Sequence, residues 1–309
     1  MKPGIVLNNA GSPWMSILAW GVGGIITLAS ALSVAEIAAA IPKSGGLYTY
    51  LSELYGGVFG YLLGWVQAVI SYPASVAALA IAFATYSGYF LPLSAWQQKL
   101  LAVGILAFIL LMNVIATKFG GIIQTVATVG KLIPVAGIVG VGLFSDLAPG
   151  FGGIGTAAAG AGFGAAVLGT LWAYDGWISV TNMAGEIKDP ARTLPKVISI
   201  GVIFLLSLCM CCSILRCFRR CPMTRLCRPR LREPMRLRLC SVAAAEPFIT
   251  AGIIVSVLGA LNGYLMTAAR VPQAMGERGQ IPFSRVLSSI HPKFQTPANA
   301  LVFFRVCWR

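Results

Sequence analysis

Charge is scarce in this chain. Of 309 residues only 10% are charged, while 57% are hydrophobic, and a soluble domain carries about 25% charged residues. So few polar side chains cannot clothe a folded surface, which argues against a soluble enzyme. Histidine occurs once, at His291, so general acid–base catalysis has few players. The runs H-E-x-x-H, G-x-S-x-G and the P-loop are all missing. Their absence leaves no support for the common hydrolytic and nucleotide-dependent activities, and the expectation is a protein that is not an enzyme and uses no cofactor. Acidic residues number nine against 23 basic ones, a formal charge of +14. A surplus of that size suggests nucleic acid only where it covers a face. Here nine of the basic residues, with seven of the eight cysteines, crowd into residues 209–240. The remainder carries a modest +6, and no nucleic-acid partner is expected.

Long apolar runs are what the chain has in quantity, with a mean hydropathy of +0.82 and 35 glycines. A membrane helix needs about 20 predominantly apolar residues. Runs of that kind cover 14–41, 57–90, 98–116, 119–145, 163–182, 196–212 and 246–269. The second is interrupted midway by Ser71, Tyr72 and Pro73, and the sixth runs out into Cys and Arg. About seven spans are expected, with a stub at each end and the lipid bilayer as surroundings. Lys2-Pro3-Gly4 and Asn8-Asn9 do not fit a secretory signal. Lysine and arginine favour the cytoplasmic side. With the loop 42–56 inside, Lys118, the group Lys188/Arg192/Lys196 and the group Arg270/Arg278/Arg285/Lys293 also fall inside. The window 209–240, with nine arginines, falls outside against the rule.

That window has no Lys and no Asp, whereas the rest of the chain uses eight Lys and six Arg. Together with the tail RVCWR (305–309), it reads as sequence taken out of frame. Zinc binding is a weaker alternative, because the cysteine spacings are irregular. A basic arm would need to face the cytoplasm, and a disulfide framework would suit an outer location.

Ionisable residues inside spans are costly, so a role in a pathway is their default reading. Lys131 lies mid-span in ATVGKLIPVAG, with twelve span residues before it and fourteen after it, too far from the interface to snorkel easily. Asp175 lies in WAYDGW (172–177), where Asp-Gly disfavours a continuing helix. A broken helix at the midplane frees backbone groups for an amino or carboxylate group; a packed aromatic patch is the other reading. Glu36 fits a carboxylate reaching the inner interface. Asn262, between Gly259 and Gly263, has the surroundings of close helix packing. It can serve as helix glue or as a cavity group.

Three segments then accumulate: AEIAAAIPKSGGLYTYLSELYG (35–56), LWAYDGWISVTNMAGEIKDPARTLPK (171–196) and GALNGYLMTAARVPQAMGERGQIP (259–282). In this order they resemble the amino acid–polyamine–organocation superfamily, in its L-type amino acid transporter branch, and within it the bacterial serine/threonine exchangers. The resemblance implies an all-α integral membrane fold, a partial inverted-repeat transporter bundle of the LeuT type with discontinuous helices. It implies transport of neutral amino acids, including serine and threonine, by alternating access across a bacterial inner membrane. By motif, the carbonyls of Trp172, Ala173 and Asp175 would hold the substrate amino group, with Tyr174, Gly176 and Trp177 shaping the break. Lys131 would stand where sodium-coupled relatives hold sodium.

The opening MKPGIVLNNAG is similar to the stretch just after the family's first-span break, so Met1 is expected to be an internal methionine. Half of the substrate site is then absent. The expected layout is a transporter bundle over 1–208, the anomalous segment 209–245, span 8 and the start of span 9 over 246–304, and an aberrant tail, 305–309. A copy damaged in this way has a second reading, as a non-transporting remnant or regulatory partner of an intact homologue. Which partner subunit it would take is unknown.

Overall fold

The computed structural model describes residues 3–115, 117–144, 162–218, 236–290, 297 and 299–301. Every regular element among them is helical. Four helical stretches there are long and apolar enough to cross a membrane: Trp14–Ala40, Gly57–Ser87, Ala95–Val114 and Thr250–Glu277. Gly121–Ile133 is a shorter apolar helix. The chain divides into two compact units, each assembled from three separate stretches.

The first unit comprises Met1–Ala40, Ala136–Ile178 and Lys188–Glu233. Its helices are α1 (Pro3–Ala10), α2 (Pro13–Ala40), α8 (Phe163–Ala173) and α9 (Pro190–Phe218). The long α2 packs most extensively on α9 and also on α8. Its buried positions Ala31, Ala35 and Ala38 are small, which lets neighbouring backbones approach closely. Leu194, Ile198 and Val202 are buried on α9. At the other end, Val6, Ala19, Trp20, Ala166 and Tyr174 form one cluster. Leu18, Ile25 and Leu32 of α2 are exposed at seven-residue spacing, a stripe suited to lipid. Helix α9 begins at Pro190, after Asp189 in a left-handed conformation (φ 51°), and runs on through Cys209–Phe218. Of the anomalous window, residues 219–235 lie outside the described residues, as do the Gly-rich loop at 145–161, His291, Lys293 and the tail.

The second unit comprises Ile41–Val135, Ser179–Ile187 and Pro234–Arg309. It contains α3 (Leu47–Tyr55), α4 (Gly57–Val66), α5 (Tyr72–Ser87), α6 (Ala95–Ile115), the first part of α7 (Thr117–Phe144), α10 (Arg236–Ala268), α11 (Arg270–Glu277) and α12 (Ser284–Leu287). The interruption expected at Ser71–Pro73 is a single π-helical turn, Gln67–Ser71, between α4 and α5. Proline has no N–H to offer the carbonyl four residues back. Tyr72 N–H therefore bonds to the Gln67 carbonyl, five residues back, and the span continues instead of breaking. Two cores result. Tyr48, Tyr72, Val271, Met275, Ile281 and Leu287 belong to one. Val76, Ile109, Leu261 and Leu265 belong to the other.

Several buried polar groups in this unit are paired across helices. Asn262, fully buried, accepts from Asn113 Nδ2 at 2.8 Å and donates to Gln124 Oε1 at 3.1 Å. One amide chain thus ties α6, α7 and α10. Gly259 sits where a Cβ would come within 2.7 Å of Ala127, so the small residues beside Asn262 serve the approach of α10 to α7. On the exposed face of α3, Glu53 accepts from Lys43 Nζ at 3.1 Å and Arg278 Nη2 at 2.7 Å. Those two cations hold its carboxyl below the ordinary range, Lys43 more than Arg278.

Candidate functional site

In the first unit α8 ends after eleven residues. Tyr174, at its C-cap, has φ −86° and ψ −3°, and its N–H bonds back to the carbonyls of Thr170 and Leu171. Gly176 follows with φ 110°. A Cβ there would meet no atom within 4 Å, so glycine is needed for its backbone conformation and not for space. The chain resumes at Trp177 as a tighter 3₁₀ helix, Trp177–Glu186. The expected span 163–182 is thus discontinuous, broken at Tyr174–Gly176.

Tyr174 anchors the break. Its side chain is buried, its hydroxyl donates to the Trp20 carbonyl at 3.2 Å, and its ring meets Trp20 edge-on at 5.8 Å. One turn earlier, Thr170 Oγ1 donates to the Ala19 carbonyl at 3.2 Å. Asp175 and Trp172 are exposed, Trp172 to 73%. The carbonyl end of α8 therefore terminates between a fixed tyrosine and two exposed side chains, Trp172 and Asp175. A helix C-terminus carries partial negative charge, and the carbonyls of its last turn lack partners within the helix. That is the chemistry an ammonium group needs, and Trp172 and Ala173 supply those carbonyls.

In the second unit Lys131 lies on α7, four residues past Ala127 and seven past Gln124, so it shares their side of the helix. Ile122, Val126, Val129 and Ile133 form an exposed apolar stripe on the opposite side. Lys131 is exposed and forms no ion pair among the described residues. Asn262 sits within the amide chain between three helices described above. Glu36 is exposed near the end of α2.

The sequence reading missed two constellations, both in the second unit. Asn182, buried in the 3₁₀ segment, donates to Tyr72 Oη at 2.6 Å and to the Thr267 carbonyl at 3.4 Å, and its own carbonyl accepts from Gly45 N–H at 2.9 Å. Gly46 has φ 54°, and a Cβ on it would come within 2.1 Å of Asn182 Oδ1. The Gly-Gly of IPKSGG is what lets that loop close over Asn182. The second constellation is Arg270, 4% exposed at its side chain, which forks onto both oxygens of Glu186 at 2.8 and 3.0 Å and also donates to the Met266 carbonyl. A signal for it was present: Arg270 follows the apolar run LMTAA without a break, and an arginine packed that close to apolar chain is costly without a partner.

A family model described as amino acid permease matches residues 2–307. The chain is 38% identical to a serine/threonine exchanger of Bacillus subtilis (strain 168), over 98% of this chain and 69% of that protein. It is 32% identical to the b(0,+)-type amino acid transporter 1 of Mus musculus, over 99% of this chain and 64% of the relative. It is 29% identical to the mouse large neutral amino acids transporter small subunit 2, over 98% of this chain and 59% of the relative. The chain thus spans about three fifths to two thirds of the length of these proteins.

Proposed function

The chain belongs to the amino acid permease family, an integral membrane family of amino acid transport, and on that premise we propose that it carries neutral amino acids, serine and threonine among them, by alternating access. The observation that carries this reading is the break in α8. A helix that stops at Ala173, with Tyr174 pinned and Gly176 at φ 110°, presents main-chain carbonyls at a helix break, the kind of site that discontinuous transporter helices offer a substrate. The substrate amino group donates to the carbonyls of Trp172, Ala173 and Asp175, and Tyr174, Gly176 and Trp177 keep the gap open. Lys131, by the family resemblance, supplies the positive charge that sodium provides in sodium-coupled transporters, so no sodium is required. The serine/threonine exchange of the Bacillus relative supports the substrate class and a bacterial inner-membrane location.

Uptake of labelled serine by proteoliposomes containing the chain tests this. Saturable uptake, accelerated by internal threonine and indifferent to sodium, is expected. Lys131→Ala should reduce it at least tenfold while the protein still purifies as a single species. Undiminished uptake in that variant would remove the role given to Lys131. No uptake by the unaltered chain would overturn transport by this chain.

A further inference from the structure

The turn after α11 carries apolar side chains on its outside. Phe283 is 79% exposed, Val286 52% and Ile290 51%. Phe283 is also held at φ 62°, ψ 30°, a conformation that bulky L-residues rarely adopt. The turn is nevertheless well fixed from beneath. Leu287 and Ile281 are buried in the core of the second unit. A Cβ on Gly276 would come within 3.0 Å of the Ser284 carbonyl and the Ser288 nitrogen, so α11 meets α12 backbone to backbone. Asn299 Nδ2 donates to the Val286 carbonyl at 3.1 Å and to Ser289 Oγ at 2.9 Å. The turn is therefore a rigid platform with a preset apolar outer face.

Two further observations say what covers that face. Phe283 comes six residues after Glu277, the end of a stretch long and apolar enough to cross a membrane, Thr250–Glu277, so six residues of chain confine it to about 20 Å from that end. Arg285, on the same turn, is exposed and forms no ion pair among the described residues. By the positive-inside assignment this is the cytoplasmic side, where the leaflet carries anionic lipid.

We propose that residues 282–290 form an interfacial foot on the inner leaflet, with Phe283, Val286 and Ile290 seated at the headgroup–acyl boundary and Arg285 on anionic phospholipid headgroups. Aromatic and aliphatic side chains beside a basic residue are the composition of segments that lie in this layer. The foot requires only that the chain sits in a membrane, and it stands or falls separately from transport.

The test places the photoreactive residue p-benzoylphenylalanine at position 283 of the full chain. The protein is reconstituted into vesicles of phosphatidylglycerol and phosphatidylcholine in equal parts, irradiated, and its adducts identified by mass spectrometry. Lipid adducts should dominate, with phosphatidylglycerol over-represented relative to its share. Arg285→Glu should lower the phosphatidylglycerol yield about fivefold, the effect of one basic residue near an anionic surface, while Arg285→Lys keeps it. Adducts to another segment or to a second copy, an absence of lipid adducts, or a yield indifferent to Arg285→Glu would each overturn the proposal. Where the position 283 variant does not purify as a single species, the same reporter at Val286 decides between these outcomes.

Discussion

The ion pair between Arg270 and Glu186 is lopsided, and the asymmetry predicts an unequal response to mutation. The Arg270 side chain is 4% exposed and that of Glu186 is 41% exposed. Glu186→Gln keeps the shape of the acceptor but leaves a buried guanidinium without a counter-charge. Breaking a fully buried pair in this way costs about 3–5 kcal/mol. Water reaches Glu186, so the loss here is screened to about 1–2 kcal/mol. Arg270→Met instead strands a carboxylate that can turn to water, and should cost only about 1 kcal/mol from the lost hydrogen bonds. In the double variant no charge remains to strand. It should therefore be more stable than Glu186→Gln alone, by about 1 kcal/mol. The assay is thermal unfolding of purified protein in detergent, followed by loss of the monodisperse gel-filtration peak, where these differences amount to a few degrees. The reasoning is refuted if Glu186→Gln unfolds with the unaltered protein, or if the double variant loses the sum of the two single effects.

Other positions give sharper or simpler outcomes. Gly176→Ala meets no neighbour, so its cost is backbone strain of about 1–2 kcal/mol; serine uptake should fall further than thermal stability does, and equal losses would count against a role at the break. Asn262→Leu removes the cross-helix bonds of Asn113, which keeps the Ile109 carbonyl, and of Gln124, and should destabilise by about 1–2 kcal/mol, measured by the same unfolding assay. Glu53 has a lowered carboxyl pKa in the folded chain, so its contribution is present above the ordinary carboxylate range and disappears as pH falls through the lowered value. The gap in unfolding temperature between the unaltered chain and Glu53→Gln should be constant at neutral pH and close in acid; a gap that widens in acid would contradict the assignment.

Local and periodic features were the ones that could be read from sequence. The apolar runs gave the helices because bilayer thickness sets their length. Asp-Gly marked the break in α8 because a glycine at positive φ stops a helix by itself. Pro73 was legible as a disturbance but not as its outcome, since a span can absorb a missing N–H by shifting to a five-residue bond. Asn182 with Tyr72 and Thr267, and Glu186 with Arg270, were not legible. Each joins groups 84 to 110 residues apart, and no local pattern encodes which distant partner a buried amide or guanidinium will find. The Gly-Gly of IPKSGG illustrates the same limit: its need for positive φ was open to inference, and the asparagine it closes over was not.

The alternation of the chain between its two units has a consequence for biogenesis. Helix α2 leaves the ribosome well before its main neighbour, α9, which begins at Pro190. At 5–20 residues per second, the roughly 150 residues between them take about 8–30 s to synthesise. During that interval the alanine-lined face of α2 waits in the membrane without its partner, open to any other small-residue helix nearby. Insertion factors that shield such faces, and proteases that clear stalled intermediates, would act on this chain in that window, before either unit could close.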